Sequence, residues 1–407
     1  MDINMNSNYL NNYIMKGGDL LSEGGFGCVF HPGITCSGDI SDDMKLVSKI
    51  QVADKNAKNE VLIGKKIKKL HGFINYFSPI ITQCPITVKK IKDKQKDSCE
   101  LFKKHKDTNF TLMKMVYING TPFTHHLMNL NNKGELIINL INSYNHLLKS
   151  LSKLKMNGIV HFDIKGNNII FNSVTKVPII IDFGLSILID DLGKLTKNTL
   201  KKYFYVYAPE YYIWPIEVHY MNFLLHKNAN PTENEILQIC IEYVKENAIL
   251  NNLFSPDFLL KYTDECFVQL RKYNKMEFND RLTYILNTWD TWDNYALSFI
   301  YFKLLIYLNI TGFYDNTFLL YFSKVLLKNI HPNPNKRFDL TQNIHNFNRF
   351  FYSQNYDRET FEDIKDIFET NIKDISRAVS QDAHNDIKNT NVMKNKKNSV
   401  DYDFQED

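Results

Sequence analysis

Four polar side chains at fixed spacing carry the chemistry open to this chain: Asp163, Lys165, Asn168 and Asp182. The first three lie in Ile159-Val160-His161-Phe162-Asp163-Ile164-Lys165-Gly166-Asn167-Asn168-Ile169-Ile170-Phe171, between two apolar, strand-like runs. The fourth opens Asp182-Phe183-Gly184, fourteen positions after Asn168 and just behind Ile179-Ile180-Ile181. Asp163 can accept, or at least orient, the proton of an incoming hydroxyl. Lys165 can reach a phosphate in transfer. Asn168 and Asp182 offer oxygens to Mg2+, which keeps several waters and takes few protein ligands. This is the inventory for moving a phosphoryl group from Mg-ATP to a hydroxyl. Neither core packing nor a turn asks for polar groups at this spacing. His161 reads as structural, placed to pack on Phe183 and to hydrogen-bond backbone.

A triphosphate also needs donors and a cation. Ser22-Glu23-Gly24-Gly25-Phe26-Gly27-Cys28-Val29 is a Gly-rich turn between two expected strands. Without a Cβ in the way, backbone N–H groups can approach phosphate oxygens. Gly turns join hairpins everywhere, but Phe26 as a cover and Val29 as a roof for a base sharpen the reading. Lys49 points inward on the third expected strand, in Leu46-Val47-Ser48-Lys49-Ile50. Most strand lysines face water, and Lys45 shares the parity of Lys49, though it lies nearer a loop. Glu60 favours Lys49: no other glutamate lies between Glu23 and Glu60, and it falls early on the next helix, where it can pin the ammonium.

These groups need elements to hold them. Residues 1–14 read as a loose lead-in. A strand–turn–strand begins at Gly17, then a loop over 31–43 and a strand over Met44 to Val52. Helical spacing of Val61, Ile63, Ile67 and Leu70 predicts a helix over 53–70. Residues 85–108 hold eight lysines among Asp and Glu and read as a solvated insertion. Phe110 to Ile118 reads as a strand and 134–156 as a long amphipathic helix. Residues 211–285 read as an extra helical subdomain rich in aromatics. Within it Thr232-x-x-Glu235 is a capping box, and Ser255-Pro256 opens another helix. Apolar residues thin out beyond about residue 375, which predicts a disordered tail over 376–407 after a C-terminal helix at 351–375.

At 407 residues the chain can hold one large two-lobed domain or two ordinary ones, and 44% hydrophobic residues exclude wholesale disorder. The net charge of +4 is spread over both signs, without the basic stripe of a nucleic-acid binder. The longest apolar stretch, Ala296 to Ile310, is broken by Lys303 and Asn309 and is too short to span a bilayer. Met1 to Asn12 lacks an apolar signal core. Cysteines 28, 36, 84, 99, 240 and 266 show no CxxC spacing and read as free thiols in a reducing compartment. The expected location is therefore intracellular and cytoplasmic.

Over roughly residues 15–345 the chain resembles eukaryotic-type serine/threonine protein kinases, whose motifs appear here in family order. The resemblance implies an α+β, two-lobed protein-kinase-like fold. A small antiparallel-sheet N-lobe with one helix would span 15–118, and a larger, mainly helical C-lobe 119–350. It implies ATP and Mg2+ as cofactors and protein substrates as partners, with no nucleic acid. Asp163 and Lys165 would be catalytic, Asn168 and Asp182 metal ligands. ATP contacts would come from Leu21, Ser22, Glu23, Gly24, Gly25, Phe26, Gly27, Cys28, Val29, Lys49 and Glu60. Met115-Val116-Tyr117-Ile118-Asn119-Gly120 is similar to the hinge, with Met115 as gatekeeper, backbone of Val116 and Ile118 reading adenine, and Ile170 as the pocket floor. Ala208-Pro209-Glu210 looks like the end of the activation segment. Asp293 in Asp293-Asn294-Tyr295-Ala296-Leu297-Ser298 would brace the catalytic loop. Arg337 would pair with Glu210. Lys165 marks the serine/threonine type.

Departures from the pattern carry their own expectations. Ser22 replaces the first glycine of the loop, and Val47 stands where alanine is usual. Gly64 falls where a bulky residue normally stacks on Phe183. Phe162 replaces the arginine that clamps a phosphorylated activation loop, and a benzyl group cannot pair with phosphate. Control by that clamp is therefore not expected. Asp293 lies 83 positions after Glu210, and this long insertion looks like the divergent kinases of large cytoplasmic DNA viruses; for a viral protein the location would be host cytoplasm or virion. The alternative is a pseudokinase scaffold that keeps the fold and works by binding partners. A small-molecule phosphotransferase fits less well, because such enzymes generally lack the lysine at 165 and Ala-Pro-Glu.

Overall fold

Four of the five strands of the main sheet fall in the first hundred positions, and helices dominate from Lys133 onward. The protein is accordingly α+β. The computed structural model describes residues 18–24, 27–105, 108–130, 133–192, 196–307 and 317–353. The expected lead-in, the tail and positions 354–375 of the expected C-terminal helix lie outside them, as do Gly25 and Phe26. The chain forms two units: residues up to Lys65 with Pro79–Tyr117, and Lys66–Ser78 with Ile118 onward.

The first unit carries β1 (Asp19–Gly24), β2 (Gly27–His31), β3 (Leu46–Val52), most of helix α1 (Lys55–Ile67), β4 (Thr82–Thr87), the short helices α2 (Asp93–Ser98) and α3 (Glu100–Lys104), and β5 (Asn109–Val116). Its five strands are antiparallel in the order β1-β2-β3-β5-β4. Alternation sorts the side chains onto two faces. Cys28, Phe30, Ile50, Phe110 and Leu112 form one apolar layer with Ile91, Cys99 and Phe102. Val47, Met113 and Met115 form the other, against Val61 of α1 and Ile80. Lys49 has the parity of Val47 and stands opposite Met113, so its ammonium falls on the α1 side.

Gly64 has a packing reason: a Cβ there would lie 3.0 Å from the Ile80 carbonyl oxygen and 3.1 Å from its nitrogen. Contacts of a Cβ there would be tighter than most, so glycine eases the approach of α1 to that backbone.

Two sequence expectations are corrected in this unit. Residues 85–108 are more than a solvated insertion. The described lysines there are exposed or half-buried, but Ile86, Ile91, Gln95, Cys99 and Phe102 are buried. The segment ties down the β1–β2 hairpin: the Gln95 amide donates to the Gly18 carbonyl at 2.9 Å, Lys94 pairs with Asp19, and Phe102 stacks on Phe30. The lysine count hides this because the apolar residues among the charges are few. Likewise, four of the six cysteines are not free thiols. Disulfides join Cys28 to Cys99 and Cys36 to Cys84, 71 and 48 residues apart in sequence. Such distant partners leave no short spacing to read. Cys240 and Cys266 are the free, buried pair. Since disulfides persist in oxidising surroundings, the intracellular expectation loses its cysteine argument.

The second unit carries β6 (Gly120–Pro122), α4 (Phe123–Met128), α5 (Lys133–Met156), β7 (Ile159–Val160), β8 (Ile169–Asn172), β9 (Val177–Ile180), β10 (Ile187–Leu188) and α6 (Lys197–Lys201). Then come α7 (Ile216–His226), α8 (Glu233–Glu246), α9 (Ala248–Leu253), α10 (Pro256–Asn274), α11 (Phe278–Leu286), α12 (Trp292–Tyr307), α13 (Thr317–Asn329) and α14 (Leu340–Ser353). Thr232 caps α8 in a full capping box with Glu235, and Ser255 caps α10 ahead of Pro256. The apolar stretch of α12 is buried on all sides from Trp292 to Phe302, as expected of a helix without a polar face. No helix among the described residues is long and apolar enough to cross a membrane. The sheets β6-β8-β9 and β10-β7 are small and antiparallel. They frame the loops 161–168 and 181–186.

Candidate active site

Burying a lysine on an apolar sheet face is unfavourable unless its charge is met. In the first unit Glu60 meets it: the Lys49 ammonium donates to both carboxylate oxygens, at 3.0 and 2.9 Å, with both side chains buried. Lys45, the competing lysine, is exposed. On the same face Val29 packs with Val47 and Met115. Val116 ends β5, and Ile118 lies two residues later.

Leu21, Ser22 and Glu23 lie exposed on β1, Gly24 ends it, and Gly27, Cys28 and Val29 begin β2. The Glu23 carboxylate accepts from the backbone N–H groups of Glu100 and Leu101, at 2.9 and 3.3 Å. With Cys28 in a disulfide, both side chains serve to anchor the hairpin. Gly27 is also required by packing, since a Cβ there would come within 2.5 Å of the Ile50 carbonyl oxygen.

The second unit assembles the remaining groups. Asn168 donates its amide to the Asp163 carbonyl oxygen at 2.9 Å and to Asp163 Oδ2 at 2.8 Å. The Lys165 ammonium lies 3.0 Å from Asp163 Oδ1 and 3.2 Å from Oδ2. Asp163, Lys165 and Asn168 are all buried. Ile181, next to Asp182, donates its N–H to the Asn168 carbonyl oxygen at 2.9 Å, which ties the two loops together. Ile170 sits on β8 between Pro122 and Ile179.

Two residues here hold left-handed backbone without being glycine: Phe162 at φ 66° and Asp182 at φ 60°. Each such position costs about 1–3 kcal/mol and persists only where its surroundings over-determine it. At Phe162 they do. Asp293, in the first turn of α12, accepts from the N–H of His161 at 2.7 Å and of Phe162 at 2.9 Å. Burial pushes the Asp293 carboxyl pKa up, against the pull of His161 and these two N–H groups. The Phe162 carbonyl accepts from the Trp214 indole N–H at 2.9 Å. The Phe162 ring, buried, stacks on Trp214 at 4.7 Å and meets Phe204 edge-on at 5.6 Å.

His161 has the structural role expected of it. Its Nε2 donates to the Ile181 carbonyl at 3.0 Å, and its Nδ1 accepts from the Asp163 N–H at 3.3 Å. The ring lies 4.9 Å from that of Phe183. Phe77 supplies the other aromatic contact of Phe183, at 6.0 Å.

Arg337 does not bind Glu210. Its guanidinium forms a bidentate, fully buried pair with Glu217 on α7, at 2.6 and 2.9 Å. Thr291 Oγ1 and the His331 carbonyl accept from two more of its N–H groups, at 3.1 and 2.8 Å. Ala208-Pro209-Glu210 draws the expectation because it matches a motif, but the buried glutamate lies seven positions on, behind Pro215. A proline opening a helix with a glutamate in its first turn is the signal that could have found it.

Sequence reasoning also misses Tyr211 and Trp214. The Tyr211 phenol donates to Asp163 Oδ1, and its ring lies edge-on to Trp214 at 4.8 Å. The aromatic run 211–214 reads in sequence as the start of an insertion, yet it packs against the Asp163 carboxylate and the Phe162 ring. No protein-family model matches the chain, and no curated protein matches it at a significant level.

Proposed function

We propose that this chain is a two-lobed, Mg-ATP-dependent protein kinase that phosphorylates serine and threonine hydroxyls. The observation that carries the reading is the state of Asp163. It is a buried carboxylate beside a lysine, fixed in direction by Asn168 and held in a loop that Asp293 braces from below. A structural ion pair needs none of that apparatus, nor a left-handed residue just before the carboxylate.

The residues suit Mg2+. Both bonds that Asn168 makes to Asp163 use its amide nitrogen, which turns the amide oxygen away from that carboxylate. Asp182 adds a carboxylate, and an oxygen-only donor set is what Mg2+ prefers. Asn168 and Asp182 would hold the ion, which supplies charge neutralisation at the phosphates of bound ATP.

The protein's own groups do the rest. Asp163 orients the acceptor hydroxyl and can take its proton as the oxygen–phosphorus bond forms. Lys165 offers a positive charge to the transferring phosphoryl oxygens. In the first unit, Lys49 is held by Glu60 and would supply a cation of fixed direction for a phosphate. Catalysis of this kind is positioning and charge stabilisation. The test is transfer of labelled phosphate from Mg-ATP to casein, comparing the wild type with Asp163→Asn. Asp163-dependent incorporation is expected; equal incorporation by both sinks the reading.

A further inference from the structure

We propose that Tyr211 is a positioning residue for the reacting carboxylate. Its phenol holds Asp163 in the orientation from which that group meets an incoming hydroxyl. The inference rests on the kinase reading above and adds a residue to its machinery.

Tyr211 is pinned at every level. Its N–H donates to the Ala208 carbonyl at 2.9 Å, and its carbonyl accepts from the Trp214 N–H at 3.1 Å. The side chain is 4% exposed. One part of the ring is held by Trp214, and the Lys165 ammonium stands 5.9 Å from its centroid, within cation–π range. The phenol then ends on Asp163 Oδ1. A residue so fixed is poorly suited to swing out as a gate and well suited to hold a partner still.

Lone-pair arithmetic gives the contact its meaning. An ionised carboxylate accepts about four hydrogen bonds. Among the described residues three groups donate to Asp163: Asn168 to Oδ2, Lys165 alongside both oxygens, and Tyr211 to Oδ1. Asn168 and Lys165 meet Oδ2 while Tyr211 and Lys165 meet Oδ1, so these three groups together fix the direction in which the carboxylate is held. Trp214 links this to the backbone, since the residue that holds Tyr211 also donates to the carbonyl of Phe162, the residue before Asp163. Segment 211–214 therefore fixes Asp163 from its main chain and from its side chain at once.

Tyr211→Phe removes the hydroxyl and keeps the ring. In the full-length protein, steady-state transfer from Mg-ATP to casein should show kcat lower by roughly 10- to 100-fold, the equivalent of one hydrogen bond to a charged group. KM for ATP should stay within about twofold, a split that a purely structural role does not produce. An unchanged or raised kcat overturns the proposal, the latter by making Tyr211 a plug. The contact also has a readout that needs no activity. With 3-fluorotyrosine at position 211, the 19F resonance should move when Asp163 is replaced by alanine, and an unmoved resonance overturns the proposal. If instead the wild type transfers no more phosphate than Asp163→Asn, the kinase reading fails and takes this inference with it, even where the fluorine signal reports the contact.

Discussion

The Trp214 indole stacks on the Phe162 ring at 4.7 Å and donates its N–H to the Phe162 carbonyl oxygen at 2.9 Å. The loop that carries Asp163 is thus held by an indole. The aromatic contact is permanent, because both rings are buried and neither depends on a modification. Phe162 can therefore hold its left-handed backbone in the unmodified chain.

Activity should accordingly be indifferent to charge on the segment. Thr196 and Thr199 bond to each other at the start of α6. Thr196→Glu and Thr199→Glu should leave kcat within about threefold, whereas a phosphate-clamped enzyme changes by orders of magnitude. Phe162→Ala should lower unfolding free energy by about 3–5 kcal/mol, the usual range for emptying a buried aromatic site. Urea denaturation and phosphate incorporation by the same variants check both statements.

Glu217 should matter more to stability than Glu210. Removing one partner of a fully buried ion pair leaves an uncompensated charge and costs about 3–5 kcal/mol. Glu217 and Arg337 form such a pair, with both side chains at 0% exposure, while Glu210 is half-buried. Thermal denaturation of Glu217→Gln and Glu210→Gln should rank them in that order. The reverse ranking would restore Glu210 as the anchor.

Residue patterns legible in the sequence are those made by near neighbours. Asp163, Lys165 and Asn168 sit within six positions, and their spacing alone announces a loop that binds them together. The capping box at Thr232 and the Ser255 cap are likewise local. Lys49 and Glu60 are 11 positions apart, on a strand and the helix after it, so parity and the scarcity of glutamates suffice. The contacts that escape are set by tertiary approach. Arg337 finds Glu217 across 120 positions, and a matching tripeptide nearby offers a false partner. Tyr211 reaches Asp163 across 48, from a run that reads as the start of a helical insertion. The disulfides cross 71 and 48 positions with no spacing to mark them.

Alkylation without reductant should label two cysteines in the unfolded chain, Cys240 and Cys266, and six after reduction. Each disulfide closes a long loop, so its removal should cost about 2–4 kcal/mol of stability. Cys28→Ser with Cys99→Ser tests the bond at the Gly-rich hairpin. Six labelled cysteines in the unreduced protein would contradict the pairing.

Acid should weaken the second unit through His219. The ring is fully buried beside Trp214 and Tyr243, and burial pushes its pKa down to about 3. With the folded value below the unfolded one, stability is full above the unfolded pKa and is lost as pH falls toward the folded value. The unfolded chain binds the proton from about pH 6.5 downward, so the loss reaches up to about 3 kcal/mol near pH 4.5. His219→Phe should flatten that part of the stability–pH curve, measured by urea denaturation between about pH 8 and 4.5. An unchanged slope would assign the acid sensitivity elsewhere.

The most direct measurement of the central claim is phosphate transfer itself. Purified full-length protein with labelled Mg-ATP and casein should incorporate label on serine and threonine, and Asp163→Asn should lose that incorporation by orders of magnitude while still gaining thermal stability from Mg-ATP. Equal labelling by the two proteins, or none by either, would contradict the account; a Mg-ATP thermal shift without transfer would leave a nucleotide-binding scaffold in its place.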